Sequence, residues 1–321
     1  MIGKEEIRWK GKSVLVDAIL LDRQTFIVSG KLIRTAALKN EWQEDIGDPV
    51  EVIRALRSAP VRIDFLKFWQ RVPESEAKFP YYREWRDIAT IPITTFDHWW
   101  RKQISPKVRN KVRKAQKLGV LVREAALDDE LVHGIADVFN DSPVRRGKRF
   151  WHYGRSFESV RQGMRANLTD SVFVAAYYEQ ELIGFIKFII TERYAMTSLI
   201  LDKQSHRDKA PMNAMIGKVV EICAEKKIPY FTYTVWRRGD HGHFQKSNGF
   251  IKIPVPEYFI PLTFRGRLAL ALGLHKGLKG AIPERAMVWL LELRRRWYEF
   301  IFPSSPKTDT ATARSAAASP I

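Results

Sequence analysis

The chain has 321 residues, a formal net charge of +18, 45% hydrophobic residues and a single cysteine, Cys223. The apolar share supports a buried core and the length allows two domains or one large one, while the charge calls for an anionic partner: nucleic acid, a phosphorylated cofactor or an acidic membrane surface. One cysteine excludes a disulfide framework or a cysteine zinc site within the chain; no apolar run reaches bilayer length and "MIGKEEIRWKGK" is too polar for a secretory leader, so a soluble, cytoplasmic protein is the expectation.

In chain order, "KSVLVDAILL" and "TFIVSGKLIRTAAL" are β-branched runs that predict strands, broken by the polar "DRQ". Asp48-Pro49 opens a short helix, "PVEVIRALRSA", and "VRIDFLKFWQRV" predicts another strand. An aromatic and charged linker then runs to about Pro92. "SPKVRNKVRKAQKLGV", Ser105–Val120, carries six lysines and arginines and no acid. Ser105 suits an N-cap, Pro106 the first helical position and Gly119 the end. Val108, Val112 and Ala115 share one face. This predicts an amphipathic helix with one buried stripe and a cationic remainder.

Beyond it the order is regular: strand "VLVRE", a helix capped at Asp128, the loop "SPVRRGKRFWHYG" and the helix "SFESVRQGMRANL". "SVFVAAYYEQELIGFIKFIIT" gives two strands around Glu179-Gln180, and "YAMTSLILD" a third. The long helix "APMNAMIGKVVEICAEKK" follows, then strand "PYFTYTVW", the polar "GDHGHFQKSNG" and a closing strand "FIKIP". Hairpin strands followed by strand–helix–strand predict an α/β (α+β) fold, a mixed sheet with helices on both faces. Cys223 falls on the apolar face of the long helix and reads as core.

The segments "VRNKVRKAQKLGVLVRE", "FVAAYYEQELIGFIKF", "LDKQSHRDKAPMNAMIGKVVEICAEKKI" and "FQKSNGF", within residues 105–253, resemble the GNAT acyltransferase fold. The match is to the branch related to Fem-type aminoacyltransferases, which extend peptidoglycan bridges and carry a basic helix before a GNAT domain. Composition and patterning predict a basic amphipathic helical segment, 263–302, and a tail, 303–321, whose Ser, Thr, Ala and Pro residues predict disorder; the resemblance implies a degenerate GNAT-like N-terminal half, 1–95, and a GNAT acyltransferase domain, 96–262. It also implies direct transfer of an acetyl or aminoacyl group, from acetyl-CoA or another acyl-CoA, or from an aminoacyl-tRNA, to an amine. The acceptor would be a small molecule or a cell-envelope precursor.

The resemblance places the donor's pyrophosphate at the turn Ser205–Ala214, where helix N–H groups bind anions. The family form of that turn aligns on Arg207, Ala210 and Met212, with both glycines absent, and Pro211 removes one N–H. His206, Arg207, Lys209, Ala210, Asn213 and Lys246 are the expected donor contacts. Where common acetyltransferases place a proton-donating tyrosine this chain has Gln245. Glu192, Asp202 and His243 are the candidate bases for an ammonium acceptor. Arg146, Trp151 and Tyr153 of the aromatic loop are the candidate acceptor contacts. His241 and His243 lack converging partners in the sequence, and no metal is expected. "PERAMVWLLELRRRWYEFIF", Pro283–Phe302, suits peripheral contact with an anionic membrane. Two other classes stay open: a non-catalytic binding module on the same fold, and an RNA-binding protein. The basic stretch suits an RNA groove, although no helix-turn-helix, zinc-finger or RNA-recognition signature accompanies it.

Overall fold

The structure is a computed structural model and describes residues 2–9, 12–145, 147–237 and 239–276. Residues up to Ser142 and from Trp151 onward build one large unit; Pro143–Phe150 belongs to a second, small one. In the latter, strands β8 (Val144–Arg145) and β9 (Lys148–Arg149) form a minimal hairpin, with the Arg145 guanidinium 4.6 Å over the Phe150 ring.

The large unit is organised by a single twelve-stranded sheet. Its first half comprises β1 (Ile2–Trp9), β2 (Lys12–Leu21), β3 (Gln24–Ser29), β4 (Thr35–Leu38) and β5 (Phe65–Trp69), with helix α1 (Pro49–Arg57) between the last two. The second half comprises β7 (Leu121–Ala125), β10 (Ser171–Tyr178), β11 (Glu181–Ile190), β12 (Ala195–Asp202) and β13 (Tyr230–Val235). Each half runs antiparallel until its last step, a parallel pair joined through a helix: β4 with β5, and β12 with β13. In the second half that helix is α6 (Pro211–Glu225).

Two strands weld the halves together. β6 (Arg83–Pro92) follows β5 in the chain but pairs with β13 of the other half. β14 (Ile251–Pro261) follows β13 but pairs with β5 of the first half, and β6 and β14 pair with each other over eight residues. Each half therefore receives its closing strand from the other. Residues 83–92, read from sequence as linker, are a central strand. Their first part, "REWRD", is only half-buried and its charges hide the pattern, whereas "IATI" is fully buried. β1 was also not legible: it is an edge strand, largely exposed, and so carries charge rather than apolar alternation.

Helices cover both faces of the second half. On one face α3 (Pro106–Lys117) and α6 share a core with Val174, Ala176, Ile186 and Phe188 of β10 and β11. The basic helix buries Val108, Val112 and Ala115, as its spacing predicts, and Ser105 caps it through Val108 N. Helix α2 (Phe96–His98) runs into a π-helical turn, Trp99–Gln103, just before it. On the other face, α4 (Asp129–Asn140) packs on β11, with the Phe139 and Phe185 rings 6.1 Å apart. α5 (Phe157–Arg165) joins α4 by stacking Phe157 on His133 at 4.3 Å. Helices α7 (Asp240–Ser247) and α8 (Phe264–Ala271) flank β14, and no helix among the described residues is long and apolar enough to cross a membrane. The segment 283–302, expected to suit a membrane surface, and the tail lie outside the described residues.

Trp99 is the bolt of the α3/α6 face. It is fully buried, its indole Nε1 donates to Asn248 O at 3.0 Å, and its ring lies against Gly249, whose φ of +87° favours glycine and where a Cβ would come within 3.1 Å of the indole Nε1. A Trp99→Ala variant empties this site and is expected to lose about 3–5 kcal/mol of stability. The denaturant midpoint should fall with an unchanged slope, as measured by equilibrium urea unfolding.

Candidate functional site

The sheet opens between β12 and β13. The two strands share only the pairs Ala195–Phe231 and Met196–Thr232. Beyond this vertex β12 stays with β11 as far as Asp202, while β13 stays with β6. Thr197 and Thr232 pin the vertex: the Thr197 hydroxyl donates to Thr232 O at 3.2 Å and that of Thr232 to Ala195 O at 3.3 Å. A wedge of backbone that has lost its ladder partner is left on each side.

Directly after the vertex β12 carries a bulge. Lys187 of β11 faces Leu199, but Phe188 faces Thr197, so Ser198 is the extra residue. It belongs to neither the β11 nor the β13 ladder. Bulges of this kind re-aim a strand and concentrate beside active sites.

Ser198 and Leu199 line a cavity of about 620 Å³ on the α4/α5 face, together with Trp151, Arg155, Gln162 and Lys187. Trp151, an expected acceptor contact, is 52% exposed at this cavity, with the Arg155 guanidinium 5.0 Å from its ring. Tyr153 is exposed nearby in the chain; Arg146 lies outside the described residues. Sequence reasoning missed Lys187, Arg155 and Ser198. Lys187 had left a signal: it is the one charge inside the apolar run "LIGFIKFII".

Lys187 is only 3% exposed. Its ammonium donates to Met164 O at 2.9 Å and to Ala166 O, the carbonyls ending α5, and sits 5.7 Å over the Phe173 ring. Burial lowers its pKa to about 8.

The expected donor turn forms where the resemblance places it. Gln204–Lys209 make a 3₁₀ turn and Ala210, at φ +56°, leads into Pro211 and α6. His206, Arg207, Lys209, Ala210 and Asp202 meet here. Their charges are largely matched within the protein. His206 Nε2 is 3.3 Å and Lys203 Nζ 2.5 Å from the Glu181 carboxylate, which is thereby held below the usual carboxylate range, chiefly by the Lys203 hydrogen bond. Arg207 Nε lies 3.6 Å from Asp202, and Lys209 Nζ is 4.7 Å over the Tyr178 ring. Of the first-turn N–H groups, Pro211 has none and that of Ala214 reaches Ala210 O at 3.4 Å, which leaves those of Met212 and Asn213. The turn thus fits an anion with two N–H groups and the half-exposed Arg207, a smaller cradle than a glycine turn offers.

Other expected site residues are placed apart. The Asn213 side chain is buried and donates to Asn248 Oδ1 at 2.9 Å, which ties α6 to the end of α7. Lys246 and His243 are exposed on α7, beyond the end of β13. Gln245, between them, is buried and accepts from Arg237 N at 3.0 Å. Glu192 is exposed before β12 begins, at the opposite end of that strand from Asp202. The eight residues of β12, roughly 25 Å of strand, separate these two candidate bases. Cys223 is fully buried and its thiol is pushed up to about 12 by burial, which removes it as a nucleophile.

The basic helix reaches this turn directly: Lys114 Nζ donates to Asp208 O at 2.8 Å. Its remaining cations thus form a charged surface contiguous with the donor turn.

The first half has the same parallel step, yet no opening. β4 and β5 share three pairs, and past them Trp42 packs edge-on against Trp69 at 4.2 Å, while Trp69 Nε1 donates to Glu41 O at 3.0 Å. The Tyr194 hydroxyl, from the second half, closes on Trp42 O.

A burial-shifted Lys187 has a testable signature. The unfolded lysine keeps its proton up to about 10.5, whereas the folded one releases it near 8. Its contribution to stability therefore grows as pH rises from 8 to 10.5 and is lost as pH falls through 8. A Lys187→Met variant lacks this dependence. Its stability relative to wild type should be highest below pH 8 and decline across pH 8–10.5, followed by urea unfolding at each pH.

No family model matches the chain, and no curated protein matches it. Solved structures do. The C-terminal domain of a candidate lysylphosphatidylglycerol synthetase from Agrobacterium fabrum superposes at 14% identity and TM-score 0.54, covering 80% of this chain and 87% of that one. FemX does so at 12% identity and TM-score 0.52, covering 85% and 90%. L-PGS from Bacillus licheniformis matches at 13% identity and TM-score 0.51, covering 77% and 84%. At such identities the likeness is one of fold: the chain shares the fold of FemX and of the lysylphosphatidylglycerol synthetase domain.

Proposed function

We propose that the chain is a transferase that moves an aminoacyl group from aminoacyl-tRNA to an amine acceptor without a covalent enzyme intermediate. The observation that carries this reading is the bulge at Ser198, set where the sheet opens and beside the cavity. A carbonyl carbon held in the opening has the bulged backbone N–H on one side and an acceptor in the cavity on the other. When the acceptor nitrogen attacks, the carbonyl oxygen becomes an oxyanion. A fixed N–H at that point stabilises the charge without reorganisation. The ester oxygen then leaves with the tRNA, and the acceptor nitrogen gives up its proton. The remainder of the rate enhancement is positioning.

Three features favour tRNA over coenzyme A as donor. The turn lacks one N–H, that of Pro211, and Lys203 and Arg207 beside it are matched by Glu181 and Asp202. The cationic face of α3 adjoins the same turn and suits a polyanion. The likeness to FemX and to lysylphosphatidylglycerol synthetases, the latter named for an aminoacylated lipid, agrees with aminoacyl chemistry. A charged tRNA would draw the reaction to the cytoplasm.

The test is transfer of radiolabelled amino acid from aminoacyl-tRNA, with acetyl-coenzyme A run in parallel, to a panel of amines. Ser198→Ala keeps the backbone N–H and should retain turnover within a few-fold. Ser198→Pro removes it and should lower kcat by about 10²–10³, with folding checked by thermal melting. Turnover with acetyl-coenzyme A alone would replace the donor. Tight, salt-dependent tRNA binding without transfer to any amine would make the chain an RNA-binding protein on this fold.

A further inference from the structure

Lys187 poses a problem the transfer reading does not use. It is a lysine on a central strand, 3% exposed, and among the described residues no carboxylate stands within ion-pair distance of it. A buried charge is costly unless paired and hydrogen-bonded. The ammonium has three donors, and two are taken by the carbonyls ending α5, a helix terminus that favours a cation. The hydrogen bonds are therefore nearly satisfied, but the counter-charge is missing. The place where it can come from is the 620 Å³ cavity that Lys187 lines.

The remaining titratable groups of that cavity are Glu6 from β1, and His152 and Arg155 from the segment before α5. Lys187 and Arg155 are thus two cations beside one carboxylate, Glu6, in the lining. Around them the cavity offers hydroxyl and amide groups, Ser159, Gln162 and Asn167, and the rim ring of Trp151.

We propose that this cavity is an anion site, in which the Lys187 ammonium holds a carboxylate or phosphate group of the acceptor. The acceptor is thereby an anionic amine, anchored at Lys187 while its nitrogen points to the Ser198 bulge. The anion site stands on the geometry of Lys187; its assignment to the acceptor rests on the transfer reading.

The probes are acetate and methyl phosphate, with glycerol as neutral control, and the readout is the side-chain resonance of Lys187 in lysine-labelled protein. Either anion should shift this resonance saturably, and saturation should raise the lysine's titration midpoint by about half a unit or more, since a neighbouring negative charge favours the ammonium. Affinity should weaken as pH rises past the midpoint. Whichever anion binds more tightly names the group as carboxylate or phosphate. Lys187→Arg should keep binding and Lys187→Met should lose it at least tenfold, while both keep wild-type affinity for charged tRNA. The wild-type titration stands without the variants if Lys187→Met does not fold. Absence of a saturable shift with both anions, or undiminished binding in a folded Lys187→Met, overturns the site. A chain that binds the anion at Lys187 but transfers nothing overturns the transfer reading and leaves the site standing. A chain that transfers while Lys187 ignores both anions does the reverse.

Discussion

The parallel pair of β12 and β13 holds for two residues and then ends. The proposed transfer chemistry depends on that short ladder. Strands that part inside a sheet leave backbone donors and acceptors without neighbours, and such groups need partners from water or a ligand. Two threonine hydroxyls fix where the parting begins. The bulge at Ser198 then turns the first freed residue of β12 towards the α4/α5 cavity. In the proposed transfer a donor carbonyl and an acceptor would meet at a point defined by backbone rather than by any one reactive side chain. Such a transfer needs no thiol nucleophile, and Cys223 is buried with its thiol held protonated.

The same step in the first half shows what closes such an opening. There the chain that leaves β4 brings Trp42 against Trp69, and Tyr194 from the other half closes on the Trp42 carbonyl. The two halves are alike in topology and opposite in use: one is open, the other is filled by aromatic side chains and serves as a scaffold. The exchanged strands β6 and β14 make that scaffold rigid, because the strand bordering the opening on the β13 side belongs to a ladder shared by both halves. Arg193, in the turn before β12, adds ion pairs to Glu74 and Asp45 of the first half.

Local pattern made much of this legible in the sequence. Helices with caps and a clear apolar stripe, such as Pro106–Lys117 and Asp129–Asn140, are where their spacing puts them. So is the hairpin at Glu179-Gln180, whose positive φ angles of 49° and 70° are the turn's own requirement. Elements whose identity is set by distant partners were hidden. β6 looks like a linker because its first residues are charged and only half-buried, and β1 is an exposed edge. The turn expected to hold the donor could be picked out from family likeness, but not its pairing with Glu181, which lies on another strand. Lys187 was visible only as an anomaly in an apolar run; that its ammonium is held by the end of α5 is a tertiary fact. Separation along β12 puts Glu192 and Asp202 at opposite ends, a distinction that reading both as strand-end carboxylates conceals.

The central claim is that the opening of the second half receives the donor and the first half does not. Hydrogen–deuterium exchange with and without aminoacyl-tRNA tests it most directly. Slowed exchange is expected in Thr197–Asp202, at the start of α6 and in α3, with β4, β5 and Trp42 unchanged. Protection confined to the first half, or to α3 without any at Thr197–Asp202, would contradict it.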